Sequence, residues 1–338
     1  MTVHWSAAYL TECLPQSILD RLPEAQADQQ LDFDTIKGIP MHNLETGEII
    51  KEIPITTPRR YGKTLTNIDY SPEGGVTAHF EDGTSFKGTT LIGADGSRSA
   101  TRSLLFGEKA TLTTIPYVMV NVVVHYSPEH TKKITEVMHP FCHVGYHPEG
   151  TMFWISVMDN PDPADISKKT FQIISTWEGV LTPEENKDSA SRLRVLRDRV
   201  GKYAPPFSDF AAWIPDDTPV HPDRMAVWEP LPLDHHAGRV TLAGDAAHNI
   251  TFHRGQGLNL ALHDAADFVS AMVSVRDRQR SLQDALDWYG KEMLERSAAE
   301  YKASYMCTRF VHRWDELMQS PIMKGIGVSQ LKKENVAN

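Results

Sequence analysis

Two acid–glycine segments, at residues 91–102 and 244–259, carry the residue types whose spacing could do chemistry. The first reads Leu91-Ile92-Gly93-Ala94-Asp95-Gly96-Ser97-Arg98-Ser99-Ala100-Thr101-Arg102. An apolar run ends in Asp95-Gly96, and a Ser- and Arg-rich helix start follows. Gly96, without a Cβ, lets the backbone approach a ligand closely. Open N–H groups at a helix start favour an anion such as a pyrophosphate. Taken alone, the same letters suit an ordinary strand–turn–helix with a Ser cap.

The second segment reads Gly244-Asp245-Ala246-Ala247-His248 and continues through Arg254-Gly255-Gln256-Gly257-Leu258-Asn259. Asp245 falls just past the apolar run Val240-Thr241-Leu242-Ala243, placed to accept hydrogen bonds from sugar-type hydroxyls. Ala246, Ala247, Gly255 and Gly257 leave room for a flat ring. A helix beginning near Leu258 points its positive end at that ring and favours negative charge on it. A purely structural glycine-rich turn is the plainer alternative. Together, the segments point to one dinucleotide whose sugar and ring portions are held by two turns that converge in space.

The elements that must position these turns can be read from periodicity. Residues 10–22 have helix-like spacing broken by Pro15, which predicts two short helices. Residues 36–55 read as short strands and turns, with a turn at 45–48. Val76 to Phe80 and the run from Ser85 flank Glu81-Asp82-Gly83-Thr84, whose Asp-Gly pair signals a hairpin. Strand-like runs follow at Tyr117 to Tyr126, Met152 to Met158 and Trp213-Ile214-Pro215, with a helix over 183–202. Leu258, Ala261, Leu262, Ala265, Val269, Met272 and Val273 mark one apolar helix face, and a long amphipathic helix runs from about Leu282 past Cys307.

Composition sets the class. The 338 residues are 41% hydrophobic and 23% charged, as in soluble globular proteins with room for two domains. A net charge of −10 without a basic run gives no footprint for nucleic acid or an anionic membrane. The three cysteines, Cys13, Cys142 and Cys307, form no C-x-x-C pair and read as free thiols. There is no secretory leader pattern and no apolar run of membrane length, so a cytoplasmic protein is expected. His143 and His147 fall on a strand, where their spacing makes no metal pair. His235-His236 reads as a solvated turn. His253 with Arg254 is a candidate to touch ligand, though ordinary packing explains it equally.

The two segments resemble the flavin motifs of the FAD-dependent aromatic-hydroxylase family, which shares the p-hydroxybenzoate hydroxylase fold, and are similar to its fungal secondary-metabolism members. The likeness extends through Trp154-Ile155-Ser156, Trp213 to Pro219 and the helix around Tyr289 to Arg296. It implies an α/β fold: an incomplete Rossmann-like FAD-binding domain with an inserted mixed-sheet substrate domain and C-terminal helices. The expected division is 1–110, a partial FAD-binding domain; 111–230, the substrate domain; and 231–338, the return with its helices. By resemblance, Asp95, Gly96 and Arg102 lie near the pyrophosphate and the NAD(P)H approach. Gly244 and Asp245 bind the ribityl or ribose side, and Gly255, Gly257, Leu258 and Asn259 meet the isoalloxazine edge. The implied activity is NAD(P)H-dependent oxygenation of a hydrophobic aromatic or polyketide-like molecule. No catalytic side chain is singled out, and no metal is implied.

The chain departs from that pattern in three places. The Gly-x-Gly-x-x-Gly turn that grips the ADP half is absent. The stretch ending at Arg60 adjoins Tyr61 without the intervening helix that carries a flavin-contacting Arg. Phe252 stands where the family has a Pro before Arg254-Gly255-Gln256-Gly257. Loss of charge-assisted hydrogen bonds of about 1.5–3 kcal/mol each weakens FAD binding by powers of ten. A flavin-free cyclase or isomerase using the same pocket, and a truncated non-catalytic relative, are the competing expectations.

Overall fold

The computed structural model describes residues 38–42, 49–54, 63–71, 74–138, 142–162 and 165–324. The helices expected over 10–22, the turn at 45–48 and Arg59-Arg60 lie outside the described residues. The chain divides into two compact units: one from Met1–Ala110, Leu231–Ala247 and Gly257–Glu295, the other from Thr111–Pro230, His248–Gln256 and Arg296–Asn338.

In the first unit, Gly38–His42 pairs antiparallel with Ile49–Pro54. Leu65–Tyr70, Val76–Phe80 and Ser85–Gly88 make a three-stranded antiparallel sheet. Its second hairpin closes at the expected Asp82-Gly83 turn, where the Phe80 N–H donates to Thr84 O at 2.9 Å. Leu91–Gly93 and Val240–Leu242 then pair in parallel, with Leu91 opposite Val240 and Gly93 opposite Leu242. Val240, Thr241 and Leu242 are buried, as an apolar run in a parallel sheet must be. Two helices flank this pair in sequence, Ala100–Phe106 after the first strand and Gly257–Arg276 after the second. Leu242, Ala246 and Ala247 pack with Ala271, Ala285, Leu286, Tyr289 and Met293, and the Tyr289 hydroxyl donates to Leu242 O at 2.8 Å.

His235 corrects the expectation of a solvated turn. It is buried, its Nδ1 bonds Val240 O at 3.0 Å, and it packs so close to Gly290 that a Cβ there would sit 2.1 Å from its Nε2. His236 does lie in a turn and stacks on Tyr70 at 4.1 Å between ring centroids.

The second unit is organised by a four-stranded antiparallel sheet in the order Tyr117–Val124, Thr170–Glu178, Thr151–Asp159, Cys142–His147. The alternation of Val118, Val120, Val122 and Val124 with intervening residues sends one set to the core. There they meet Phe153, Ile155, Phe171 and Ile173, and the inner face of helix Ser189–Val200 through Leu193, Leu196 and Val200. Trp213-Ile214-Pro215, expected as a strand, is instead a turn that ends the helix Phe207–Ala212. Phe210 and Ala211 at helical spacing bury into the same core with Ile214, and this tertiary packing overrides the apolar run that suggested a strand. The long helix Leu282–Val311 begins in the first unit and continues into the second.

Candidate functional site

Because Leu91–Gly93 and Val240–Leu242 run parallel and in register, Asp95 and Asp245 both leave the carboxyl end of adjacent strands. That end is where open α/β sheets bind ligands. Gly93 makes the arrangement possible: a Cβ there would lie 2.6 Å from Thr101 Cβ and 2.7 Å from Leu242 Cδ2, so only a bare backbone lets helix and strand pack this closely.

The first turn is tightly bonded. Gly96 sits at φ 76°, a left-handed conformation that glycine adopts without strain. The Ser99 hydroxyl caps the following helix by accepting from the Arg102 N–H at 2.8 Å. The Asp95 carboxylate accepts from Ser99 Oγ at 2.5 Å and from Thr101 N at 2.9 Å and Oγ1 at 3.1 Å. Partial desolvation pushes the Asp95 pKa up, but these donors outweigh it and hold the carboxyl below its ordinary range. Asp95 therefore carries a fixed negative charge that orders the turn.

Arg102 joins the two turns. It is only 2% exposed, and its Nη1 donates to the carbonyl oxygens of Asp245 at 3.1 Å and Ala246 at 3.2 Å. Nε reaches Ala110 O at 3.3 Å, and Nη2 donates to Ser97 O. Burial lowers the Arg102 pKa, while the charges of Asp95 and Asp245 support the cation. The planar fork is thus committed to main-chain carbonyls of both motifs, a use that its place in the sequence did not reveal.

Asp245 differs from Asp95. It is exposed, and among the described residues no hydrogen bond reaches its carboxylate. A Cβ at Gly257 would lie 3.7 Å from its Oδ1, so the bare glycine leaves one side of the carboxylate accessible. The Gly244 N–H donates to the buried Asp264 carboxylate at 2.8 Å, fixing the approach from the helix side. Helix Gly257–Arg276 starts at Gly257, with Leu258 half-buried and Asn259 fully buried beside it. Asn259 is therefore held inside the unit, and Asp245, Gly257 and Leu258 remain at its surface.

Gly255, at φ 64°, belongs to the second unit and ends the short turn Phe252–Arg254. His253 anchors that turn. Its Nε2 is 3.1 Å from Thr176 Oγ1 and its Nδ1 is 2.9 Å from Thr308 Oγ1, while Thr176 Oγ1 is 2.8 Å from His312 Nε2. His312 Nδ1 lies 2.7 Å from the Thr308 carbonyl, so it must carry the proton. The Thr251 hydroxyl donates to the Ser304 carbonyl at 2.9 Å, and the remaining protons run one way: Thr308 to His253 Nδ1, and His253 Nε2 to Thr176 to His312 Nε2, with both rings neutral. Burial holds the His253 pKa at about 3, with help from His312, and the His312 pKa at about 4. Arg254 pairs with Glu300 through Nε at 2.5 Å and Nη2 at 3.3 Å. Thr176, Thr308 and His312 carry no sequence signal for this role; only the sheet and the long helix bring them to His253.

Among the described residues, no group of three His, Cys, Asp or Glu side chains is arranged to hold a metal, and no helix is long and apolar enough to cross a membrane.

A family model described as FAD binding domain matches residues 65–304. The FAD-dependent monooxygenase cctM of Talaromyces islandicus is 32% identical over 343 residues, covering 95% of this chain and 84% of that protein. The FAD-dependent monooxygenase phnB of Penicillium herquei is 28% identical, covering 96% of this chain and 84% of that protein. Among solved structures, 2,6-dihydroxypyridine-3-hydroxylase from Arthrobacter nicotinovorans aligns with a TM-score of 0.61 at 20% identity, over 88% of this chain and 82% of that one. Klebsiella pneumoniae HpxO complexed with FAD and uric acid aligns with a TM-score of 0.59 at 24% identity, over 76% and 60%. These two likenesses establish the fold. Matched across most of its length by the family model and across nearly all of it by the fungal relatives, the chain belongs to the FAD-dependent monooxygenases of the aromatic-hydroxylase type, which share this FAD binding domain.

Proposed function

We propose that this chain is an FAD-dependent monooxygenase that uses NAD(P)H to oxygenate a hydrophobic aromatic or polyketide-like small molecule in the cytoplasm. The observation that carries it is the convergence of the Asp95 and Asp245 turns at one end of a parallel strand pair, joined through Arg102. The donor set fits the flavin. Asp245 offers an exposed acceptor for a ribityl or ribose hydroxyl, and the missing side chain at Gly257 leaves the approach open. The N-terminus of helix Gly257–Arg276 favours negative charge on a bound ring. Arg102 and Asp95 act behind these groups by fixing the turns.

A bound flavin would supply the redox chemistry by which dioxygen and NAD(P)H give an oxygenated substrate, water and NAD(P)+. The chain binds, orients and shields. His253 holds the Phe252–Arg254 turn, and its neutral ring keeps a second positive charge away from Arg254. The flavin-free alternative is not favoured, because the fungal relatives are named as FAD-dependent monooxygenases.

The test is turnover by the FAD-loaded chain under 18O2 with NADH or NADPH and a panel of hydroxylated aromatic probes. Nicotinamide-dependent incorporation of one 18O atom is expected. Product formation without oxygen or nicotinamide, or no nicotinamide oxidation with any probe, would overturn the reading.

A further inference from the structure

Two adjoining cavities lie in the first unit, away from the turns of Asp95 and Asp245. One, of about 510 Å³, covers Val76, Ala78, Phe80 and Phe86 of the three-stranded sheet and reaches Leu91. The other, of about 580 Å³, lies against Gly75, Thr89 and Arg239. Lys87 and Gly88 line both, so the two form one cleft. Leu91 opens its strand and Arg239 immediately precedes Val240, whereas Asp95 and Asp245 lie past the other strand ends. The cleft therefore sits at the amino end of the parallel pair, opposite the end assigned to the flavin.

Its floor is apolar. Val76 is the cross-strand partner of Gly88, and Ala78 of Phe86, so these positions share one face of the sheet. Phe86 is 44% exposed and meets Phe80 edge-on, with 5.8 Å between ring centroids. A Cβ at Gly88 would meet nothing closer than Thr90 O at 3.8 Å, so no atom crowds the junction of the two cavities.

Its charges are of one sign. The linings hold Lys63, Lys87 and Arg239 and no carboxylate, in a chain with 44 acids against 34 bases. Lys63 is neutralised by Asp82. Arg239 is anchored: its Nη1 donates to Ser71 O at 2.8 Å, and its guanidinium lies 5.8 Å from the Tyr70 ring centre. Asp234 also acts on Tyr70, but it lines neither cavity and its carboxylate accepts the His236 N–H at 2.8 Å. Lys87 is exposed, and among the described residues no carboxylate pairs with it. A cleft with low-dielectric walls and cations alone concentrates anions.

We propose that this cleft binds a small amphipathic carboxylate, its apolar body on Val76, Ala78, Phe80 and Phe86 and its head between Lys87 and Arg239. The inference goes beyond the monooxygenase reading and stands without it. An apolar floor alone favours a neutral ligand, because a carboxylate costs more to dry. Surface cations alone hold an anion weakly. Together they select a molecule carrying both parts.

Isothermal titration calorimetry of the full chain with octanoate and 1-octanol, with and without saturating FAD, tests it. Octanoate is expected to bind at least about tenfold more tightly than the alcohol, whether or not FAD is present. In Lys87→Gln that ratio should fall at least about threefold with octanol binding unchanged, and Lys87→Arg should keep it. Phe86→Thr should weaken both ligands. Lys87 and Phe86 are exposed, so these variants keep the fold. No saturable octanoate binding, octanol bound as tightly, a ratio retained in Lys87→Gln, or octanoate displaced by FAD overturns the proposal. Flavin titration of the same preparations tests the monooxygenase reading separately, and FAD affinity should be unchanged in all three variants.

Discussion

Arg102 Nη1 donates to the carbonyl oxygen of Asp245 at 3.1 Å, a bond between the two motifs across 143 positions of sequence. Both turns leave one end of a parallel strand pair, and the guanidinium holds their backbones together.

Replacing Arg102 with Met keeps much of the buried volume and removes the donors. The carbonyls of Ala110, Asp245 and Ala246 are then left short of a partner in a dry environment. A loss of about 3 kcal/mol in stability is expected. Thermal unfolding measures it, and a melting point within a degree of the parent would show that the clamp contributes nothing.

Gly93→Val drives a side chain into Thr101 and Leu242, whose atoms would lie under 3 Å from the new Cβ. Strand and helix must part, at a cost of roughly 2–3 kcal/mol. Denaturant unfolding should report it. The Asp95 turn rides on that helix start, so FAD affinity should fall as well.

Gly257→Leu separates folding from binding. A leucine is a better helix former than glycine by about 0.5–1 kcal/mol, so stability should hold or rise. Its side chain would crowd Asp245 Oδ1, and FAD affinity should fall at least about tenfold. A stable variant that binds FAD normally would place the flavin elsewhere.

The neutral histidines predict an acid-side loss of stability. His253 and His312 have folded-state pKa values of about 3 and about 4, below the ordinary value of 6.5. The unfolded chain therefore binds protons first as pH falls. Their contribution is complete above pH 6.5 and is lost progressively as pH drops toward 4, with a slope of roughly 1.4 kcal/mol per pH unit for the buried His312. Melting curves from pH 7 to pH 4 should show the decline, and His312→Asn should flatten it.

The strand ends and turns that carry the candidate site were legible because their signals are local in sequence. An apolar run ending in Asp95-Gly96, and another ending in Gly244-Asp245, announce strand ends. The Asp82-Gly83 hairpin followed from turn chemistry, the helices Gly257–Arg276 and Leu282–Val311 from 3.6-residue periodicity, and Ser189–Val200 from the charged segment 183–202. What long-range packing decides was not legible. Arg102 could as well have met a phosphate as four carbonyls; only the fold commits it. His235 lost its place in water because Gly290, 55 positions on, makes room for its ring. Trp213-Ile214-Pro215 was too short for its apolar letters to distinguish a strand from a helix end.

The convergence of the two turns on one flavin is tested most directly by titrating the purified chain into FAD and following quenching of flavin fluorescence, alongside Asp245→Ala. Saturable quenching is predicted for the parent, with affinity reduced about tenfold to a hundredfold in Asp245→Ala and the melting point of the FAD-free variant little changed. Failure of the parent chain to quench FAD, or identical affinity in the folded Asp245→Ala protein, would contradict it.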